Sequence, residues 1–316
     1  MQAYNTPSTI YGIHDPGGEH IMEECGVRGW IVFTHALGSD PKDMSGFDYR
    51  PWADKGHGIL ARLNYGYEPM GTIPYFHLCL DFARRCANFV AASRGCSRWI
   101  IGNEMNYAVE RPGGQLHGQH ITPFLYGMCL AQCYRAIHSV SGHEEDEVIM
   151  GAVAPWNNQT SYPDNYRGDW VHYFVDTLWQ GGRLYDGIAL HTYTHTPEPW
   201  RVYTDTWMNA PFEDRHYDFL AYYDFMEAIP KEMHHLPVYI TETDQDVAWL
   251  DENTSWVQRA YGEIDHWNKH PDHQQILALC LYRWQRGHDR WGIEGKQGVI
   301  ADYRDAVQQG YTWETA

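Results

Sequence analysis

Residues 98–104 read Arg98-Trp99-Ile100-Ile101-Gly102-Asn103-Glu104, and residues 238–244 read Val238-Tyr239-Ile240-Thr241-Glu242-Thr243-Asp244. Each is a short apolar run that ends in an acid. A short, nearly continuous apolar run suits a strand buried on both faces, the situation of a parallel sheet. Alternation places Ile100, Gly102 and Glu104 on one face of the first run, and Val238, Ile240 and Glu242 on one face of the second. If those faces line one interior, the two carboxylates emerge together at its mouth.

Six further runs of the same kind surround these two, over residues 9–14, 30–34, 58–63, 148–153, 187–191 and 275–282. Longer amphipathic stretches separate them. Residues 73–92 carry Leu78, Phe82, Cys86 and Phe89 at helical spacing. Thr122-Pro123 supplies an N-cap and a first-turn proline, predicting a helix that runs to about residue 139. Residues 170–179, 219–233 and 255–267 follow the same period, and a last helix is expected near 302–309. The crossovers after residues 15 and 36 show no clear period. Eight strand–helix units in 316 residues is the count of a (β/α)8 barrel, expected as a single domain over residues 1–316.

The nearest competitor is an open doubly wound sheet, which advertises a glycine-rich phosphate turn after its first strand. Here that turn is Asp15-Pro16-Gly17-Gly18-Glu19, which lacks the spacing. Helix-to-strand connections are short, as at Gln180-Gly181-Gly182-Arg183. Connections leaving strands two, four, five, six and eight are long and hold most of the unusual chemistry. In a barrel those loops gather at one face, where active sites lie.

Composition narrows the function. The chain has 41 Asp and Glu against 23 Lys and Arg, a net charge of −18. Such a surface repels nucleic-acid phosphates and anionic membranes, so neither is an expected partner. No run approaches the ~18 apolar residues of a membrane span. Fourteen Trp and 23 Tyr against 10 Phe favour flat rings with a polar handle, suited to stacking on a polar ligand such as a sugar. The seven cysteines are odd in number and sit mostly in apolar patterns, so they read as buried thiols and favour a reducing, cytoplasmic setting. Residues 1–20 show no basic segment followed by an apolar one, so no secretory leader is read there; prior removal of a leader is the alternative and would make the protein a secreted one.

Two carboxylates facing across a cleft suit glycoside hydrolysis, in which one must be protonated and the other ionised. Here the motifs resemble those of the clan of retaining β-glycoside hydrolases with (β/α)8 barrels, which includes cellulases, mannanases and β-glycosidases. The resemblance rests on Asn103-Glu104 ending strand four, Glu242 ending strand seven, His191-Thr192-Tyr193 on strand six and Trp284 ending strand eight. It implies that Glu104 is the acid/base and Glu242 the nucleophile. It further implies that Asn103 grips the sugar 2-hydroxyl, that His191 and Tyr193 flank the nucleophile, and that Trp284 floors the reacting sugar. Arg62 and Asn64 on strand three are placed to support the site. No cofactor is implied, and the partner expected is an oligo- or polysaccharide.

Other readings stay open at this point. A barrel that binds carbohydrate, or transfers glycosyl groups, would carry much the same residues. Nineteen histidines invite a metal reading, and His191 and His195 look paired. On a strand, however, residues four apart are separated by about 13 Å, too far to share one ion. His14 and His35 are read as hydrogen-bonding groups at the mouth or as structural histidines. Trp156, Trp200, Trp207 and Trp291 fall in mouth loops, where they either stack on sugars or pack the loops. Glu104 or Glu242 alone could be a capping or ion-paired carboxylate.

Overall fold

The computed structural model describes residues 6–285, 287 and 290–314. Its strands are β1 (Tyr11–His14), β2 (Trp30–Ala36), β3 (Gly58–Asn64), β4 (Arg98–Ile101), β5 (Glu147–Met150), β6 (Gly187–His191), β7 (Val238–Thr243) and β8 (Ile276–Leu281). They pair in chain order, and β8 returns to β1, so the sheet is a closed barrel. The (β/α)8 expectation is the observed fold. The described residues divide into two compact units, one of residues 34–54 and 59–189, the other of 6–33, 55–58 and 190–314.

In the first unit, β3 and β4 run parallel with Ala61 opposite Trp99, and β4 and β5 with Trp99 opposite Val148. These strands are buried along almost their whole length, which is why they read as unbroken apolar runs. Helices α3 (Cys79–Ala92) and α5 (Pro123–His138) cover them. Thr122 caps α5 by accepting from the Leu125 amide, with Pro123 in the first turn, as its sequence predicts. Tyr126 of α5 donates to the Ile101 carbonyl at 2.8 Å and accepts from the Gly151 amide at 2.7 Å. One buried hydroxyl thereby satisfies two strand-end backbone groups. Asp169 caps α6 (Trp170–Trp179) through the Val171 and His172 amides.

In the second unit, β1 pairs with β2 and β8, and β7 with β8. Helices α7 (Ala221–Ala228), α8 (Trp256–Asn268) and α9 (Gln297–Val307) belong to it. Tyr261 of α8 donates into the Gly12 and Leu279 carbonyls at 3.0 and 2.9 Å, tying the helix to the β1–β8 seam. Gly12 is required there, because a Cβ would lie 2.4 Å from Cys280 Sγ.

Where the elements depart from expectation, the cause is local. The helix expected over 73–92 starts at Cys79, after Pro74 and a 3-10 turn at Phe76–Leu78. The one expected over 219–233 stops at Ala228, because Pro230 cannot continue it. The helix expected near 302–309 begins at Gln297. The unclear crossovers hold only α1 (Glu19–Glu24) and α2 (Arg50–Ala53), too short to display a period. A four-residue helix, α4 (Gly114–His117), lies in the loop after β4. Six of the seven cysteines are buried and Cys25 is half-buried; all are free thiols. Among the described residues no helix is long and apolar enough to cross a membrane.

Candidate active site

The two acids leave their strands differently. Strand β4 ends at Ile101 because Gly102 turns to φ +75°, and Glu104 itself sits at φ +44°. Simple alternation therefore stops before Glu104. A non-glycine residue in that left-handed region costs on the order of 1 kcal/mol. Local hydrogen bonds hold it: the Glu104 amide donates to the Ala152 carbonyl at 2.8 Å, and the Tyr107 amide donates to the Glu104 carbonyl at 2.8 Å. Glu104 is half-buried.

Asn103 beside it is buried and oriented. Arg62 Nη1 donates to Asn103 Oδ1 at 2.5 Å, and Thr72 Oγ1 donates to the Asn103 carbonyl at 2.7 Å. With Oδ1 engaged by a guanidinium, the amide nitrogen is the end left to donate. Arg62 thus meets Asn103 directly. Asn64 ends β3 buried, its Oδ1 without a partner among the described residues. Trp156 follows β5 in a loop at φ +56° and is half-buried. Asn106 staples that loop: its side chain donates to the Ala154 carbonyl and accepts from the Ala154 amide.

His35 sits differently from the others. Its Nε2 meets the Tyr49 hydroxyl at 2.7 Å, and its ring packs against Phe47 and Phe89 at 5.1 and 4.9 Å. Burial pushes its pKa down to about 4, so the ring is neutral near pH 7.

Glu242, on β7, is 7% exposed and held by several groups. Tyr193 donates to Glu242 Oε2 at 3.1 Å and meets His191 Nδ1 at 3.0 Å. His191 Nε2 in turn meets Thr241 Oγ1 at 3.1 Å. One proton arrangement satisfies every member. Thr241 donates to Nε2, Nδ1–H donates to the Tyr193 oxygen, and the Tyr193 hydroxyl donates to the carboxylate. The chain points every donor toward the Glu242 carboxyl. His14 Nε2 stands 3.8 Å from the other oxygen, Oε1. Backbone bonds from Thr192 N to the Glu242 carbonyl and from Thr194 N to the Asp244 carbonyl hold this strand end to the extension of β6.

Behind His14 lies a buried ion pair that sequence reading did not single out. His14 Nδ1 is 3.2 Å from Asp15 Oδ1, and Arg283 grips Asp15 at 2.5 and 3.1 Å. Burial by itself would raise the Asp15 carboxyl, but His14 and Arg283 outweigh it and hold the group well below the usual carboxylate range. The only hint in the sequence was an acid just after the first strand. Asp15→Asn leaves Arg283 facing a neutral amide. We expect a loss of about 2 kcal/mol in stability at pH 7, because one partner of a largely buried pair is removed. A carboxyl with a depressed folded pKa adds stability that is present above the unfolded value, near 4, and is lost as the pH falls through the folded value. Urea unfolding at pH 7 and at pH 2–4 checks both: the gap between variant and wild type narrows as the medium is acidified below pH 4.

Trp284 is 7% exposed. A Cβ on Gly17 or Gly18 would meet its ring at 2.5 to 2.7 Å, so the Asp15–Glu19 turn needs both glycines to let the ring lie against its backbone. His195, paired with His191 in the metal reading, is turned elsewhere. Its amide and Nδ1 both meet Asp218 Oδ1, and its ring stacks on Tyr217 at 3.6 Å. Trp200 carries the Arg201 guanidinium 4.7 Å above its ring, and Trp207 lies 4.1 Å from the His216 ring. Trp291 has the Arg290 guanidinium at 4.0 Å.

No family model matches the sequence, and a search of curated proteins finds no match. Solved structures do match. The endoglucanase Cel5A of Pseudomonas stutzeri aligns over 99% of this chain and 99% of its own, at TM-score 0.55 and 13% identity. A family 44 xyloglucanase of Paenibacillus polymyxa aligns over 95% of this chain and 76% of its own, at TM-score 0.56 and 11% identity. This chain shares its fold with both enzymes. A family 128 endo-β-1,3-glucanase of Sorangium cellulosum agrees, with TM-score 0.51, 14% identity, and 95% of this chain and 97% of its own aligned. At such identities the likeness is one of fold.

Proposed function

We propose that the protein is a retaining glycoside hydrolase acting on β-linked oligo- or polysaccharides, with Glu242 as nucleophile and Glu104 as acid/base. One observation carries the reading: the buried Glu242 carboxylate at the end of β7 is met by a chain of donors running through Thr241, His191 and Tyr193. Glu242 lies at the C-terminal end of β7, and Asn103 and Glu104 follow the C-terminal end of β4; strand C-terminal ends are where barrels of this kind build their active sites. The fold shared with an endoglucanase, a xyloglucanase and a β-1,3-glucanase supports a carbohydrate substrate.

Ionised Glu242 attacks the anomeric carbon while protonated Glu104 gives its proton to the departing glycosidic oxygen. An ester between Glu242 and the sugar forms as the C–O bond breaks. Glu104, now a carboxylate, takes a proton from water. That water's oxygen attacks the anomeric carbon and releases Glu242, so one water is consumed per bond cleaved. Asn103 donates to the 2-hydroxyl, a contact that tightens as charge develops at the ring. Trp284 floors the reacting sugar, and Trp156 and Asn64 are assigned to substrate binding. The chemistry requires no cofactor.

The test is a panel of β-linked aryl glycosides and soluble β-1,3-glucan, β-1,4-glucan and xyloglucan, with the first product's anomeric configuration read by NMR. Retention is expected. An inverted product would eliminate the double displacement, transfer products would make the protein a transglycosylase, and binding without turnover would make it a carbohydrate-binding barrel. Activity that survives chelation would set aside the metal-hydrolase reading. Tyr193→Phe removes the last donor of the chain to Glu242. We expect kcat to fall about 10- to 100-fold with a small change in KM, since the bond aids positioning more than ground-state binding.

A further inference from the structure

Ser255, just before α8, and Gln258, Arg259, Gly262 and Glu263 on it follow one another at helical spacing and line one groove. Tyr203, Gln309 and Tyr311 complete its walls. The groove encloses about 460 Å³, within the ~300–1,000 Å³ of typical small-molecule sites. None of these residues takes part in the chemistry proposed above.

We propose that this groove is a second carbohydrate-binding site, which holds an uncharged segment of a saccharide chain apart from the catalytic acids. The polar inventory fits hydroxyl groups. Gln258 Nε2 is committed to Asp302 Oδ1 at 3.0 Å, which leaves its carbonyl oxygen to accept. Glu263 accepts from Tyr222 and Tyr223 through Oε1 alone, at 3.0 and 3.4 Å, and leaves Oε2. The Tyr203 ring is half-exposed and has the Arg259 guanidinium 5.4 Å from its centre, so one face is taken and the other is presented. Tyr311 is anchored: its amide donates to the Tyr11 hydroxyl at 2.9 Å, and the two rings stack at 6.4 Å. An aromatic face flanked by fixed acceptors and donors is what a sugar ring requires. Arg259 and Glu263 bring one charge of each sign, so the groove does not select a charged ligand.

Gly262 gives an independent indication. It lies in the middle of α8, where glycine costs roughly 0.5–1 kcal/mol against alanine. Neither packing nor backbone conformation requires it: its φ is not positive, and a Cβ there would meet only the Tyr311 hydroxyl, at 3.8 Å. The absent side chain keeps the floor of the groove open.

The choice of ligand class rests on the glycoside hydrolase reading; the groove itself does not. The experiment is native affinity electrophoresis of the full chain in gels containing each polysaccharide of the panel, run beside turnover of a small aryl glycoside. Wild type should be retarded by at least one polysaccharide. Gly262→Leu, which fills the floor, and Tyr203→Ala should each weaken retardation at least about tenfold, with aryl-glycoside kcat/KM within about twofold of wild type. Gly262→Ala should keep its retardation and melt at a slightly higher temperature, which separates blocking from misfolding. Unchanged retardation in both Gly262→Leu and Tyr203→Ala overturns the proposal, as does a wild type retarded by none of the panel. A failed hydrolase reading shows differently: no glycoside is turned over, while retardation and its loss in Gly262→Leu persist.

Discussion

We expect Glu242→Gln to lower kcat on the best glycoside of the panel by at least about 10⁴-fold, with the fold intact. The amide keeps the shape of the carboxylate but is far too weak a nucleophile to form the glycosyl ester, so what remains is catalysis by the surrounding groups alone. Tyr193 donates at 3.1 Å to the acceptor that Glu242 offers, and an amide oxygen can still take that bond. The stability cost is therefore small, and circular dichroism and the melting temperature should match wild type. A fluorinated sugar that traps the ester should label Glu242 in the wild type and nothing in the variant. Label on another residue, or turnover within tenfold of wild type, removes Glu242 from its role.

Glu104→Ala is the second large effect, and it differs in kind. Loss of the acid slows departure of poor leaving groups by about three to four orders of magnitude, while an activated aryl leaving group that needs no proton is affected less. In the second half-reaction no base remains to activate water. Azide, which attacks without surrendering a proton, should restore turnover of the activated substrate and yield a glycosyl azide of retained configuration. An azide product of inverted configuration would instead exchange the roles of the two acids. Asn103, oriented by Arg62 at 2.5 Å, should hold the sugar in either variant, so the substrate dissociation constant stays within a few-fold, while KM of Glu104→Ala on the activated substrate falls as the glycosyl ester accumulates.

Much of the fold was legible because parallel strands buried on two faces leave an unambiguous mark. All eight were visible as short apolar runs, and Thr122-Pro123 placed the start of α5 to the residue. What escaped was whatever a single residue decides within a turn. Gly102 at φ +75° ends β4 and spoils the alternation argument that carried it through to Glu104. Proline 230 cuts α7 short, and α1 and α2 are briefer than two helical turns.

The order of residues alone determined that a barrel of eight βα units forms and that acids stand at the ends of β4 and β7, because burial pattern and strand ends are local properties of a chain. Only the tertiary structure decided what surrounds those acids. Asp15 and Arg283 are 268 positions apart yet share two hydrogen bonds, and Tyr193 reaches Glu242 across 49 positions. Electrostatic and hydrogen-bonding energies fall off over a few ångströms of space, not of sequence, so the partners that set the protonation and orientation of a carboxylate are settled when strands pair and loops pack.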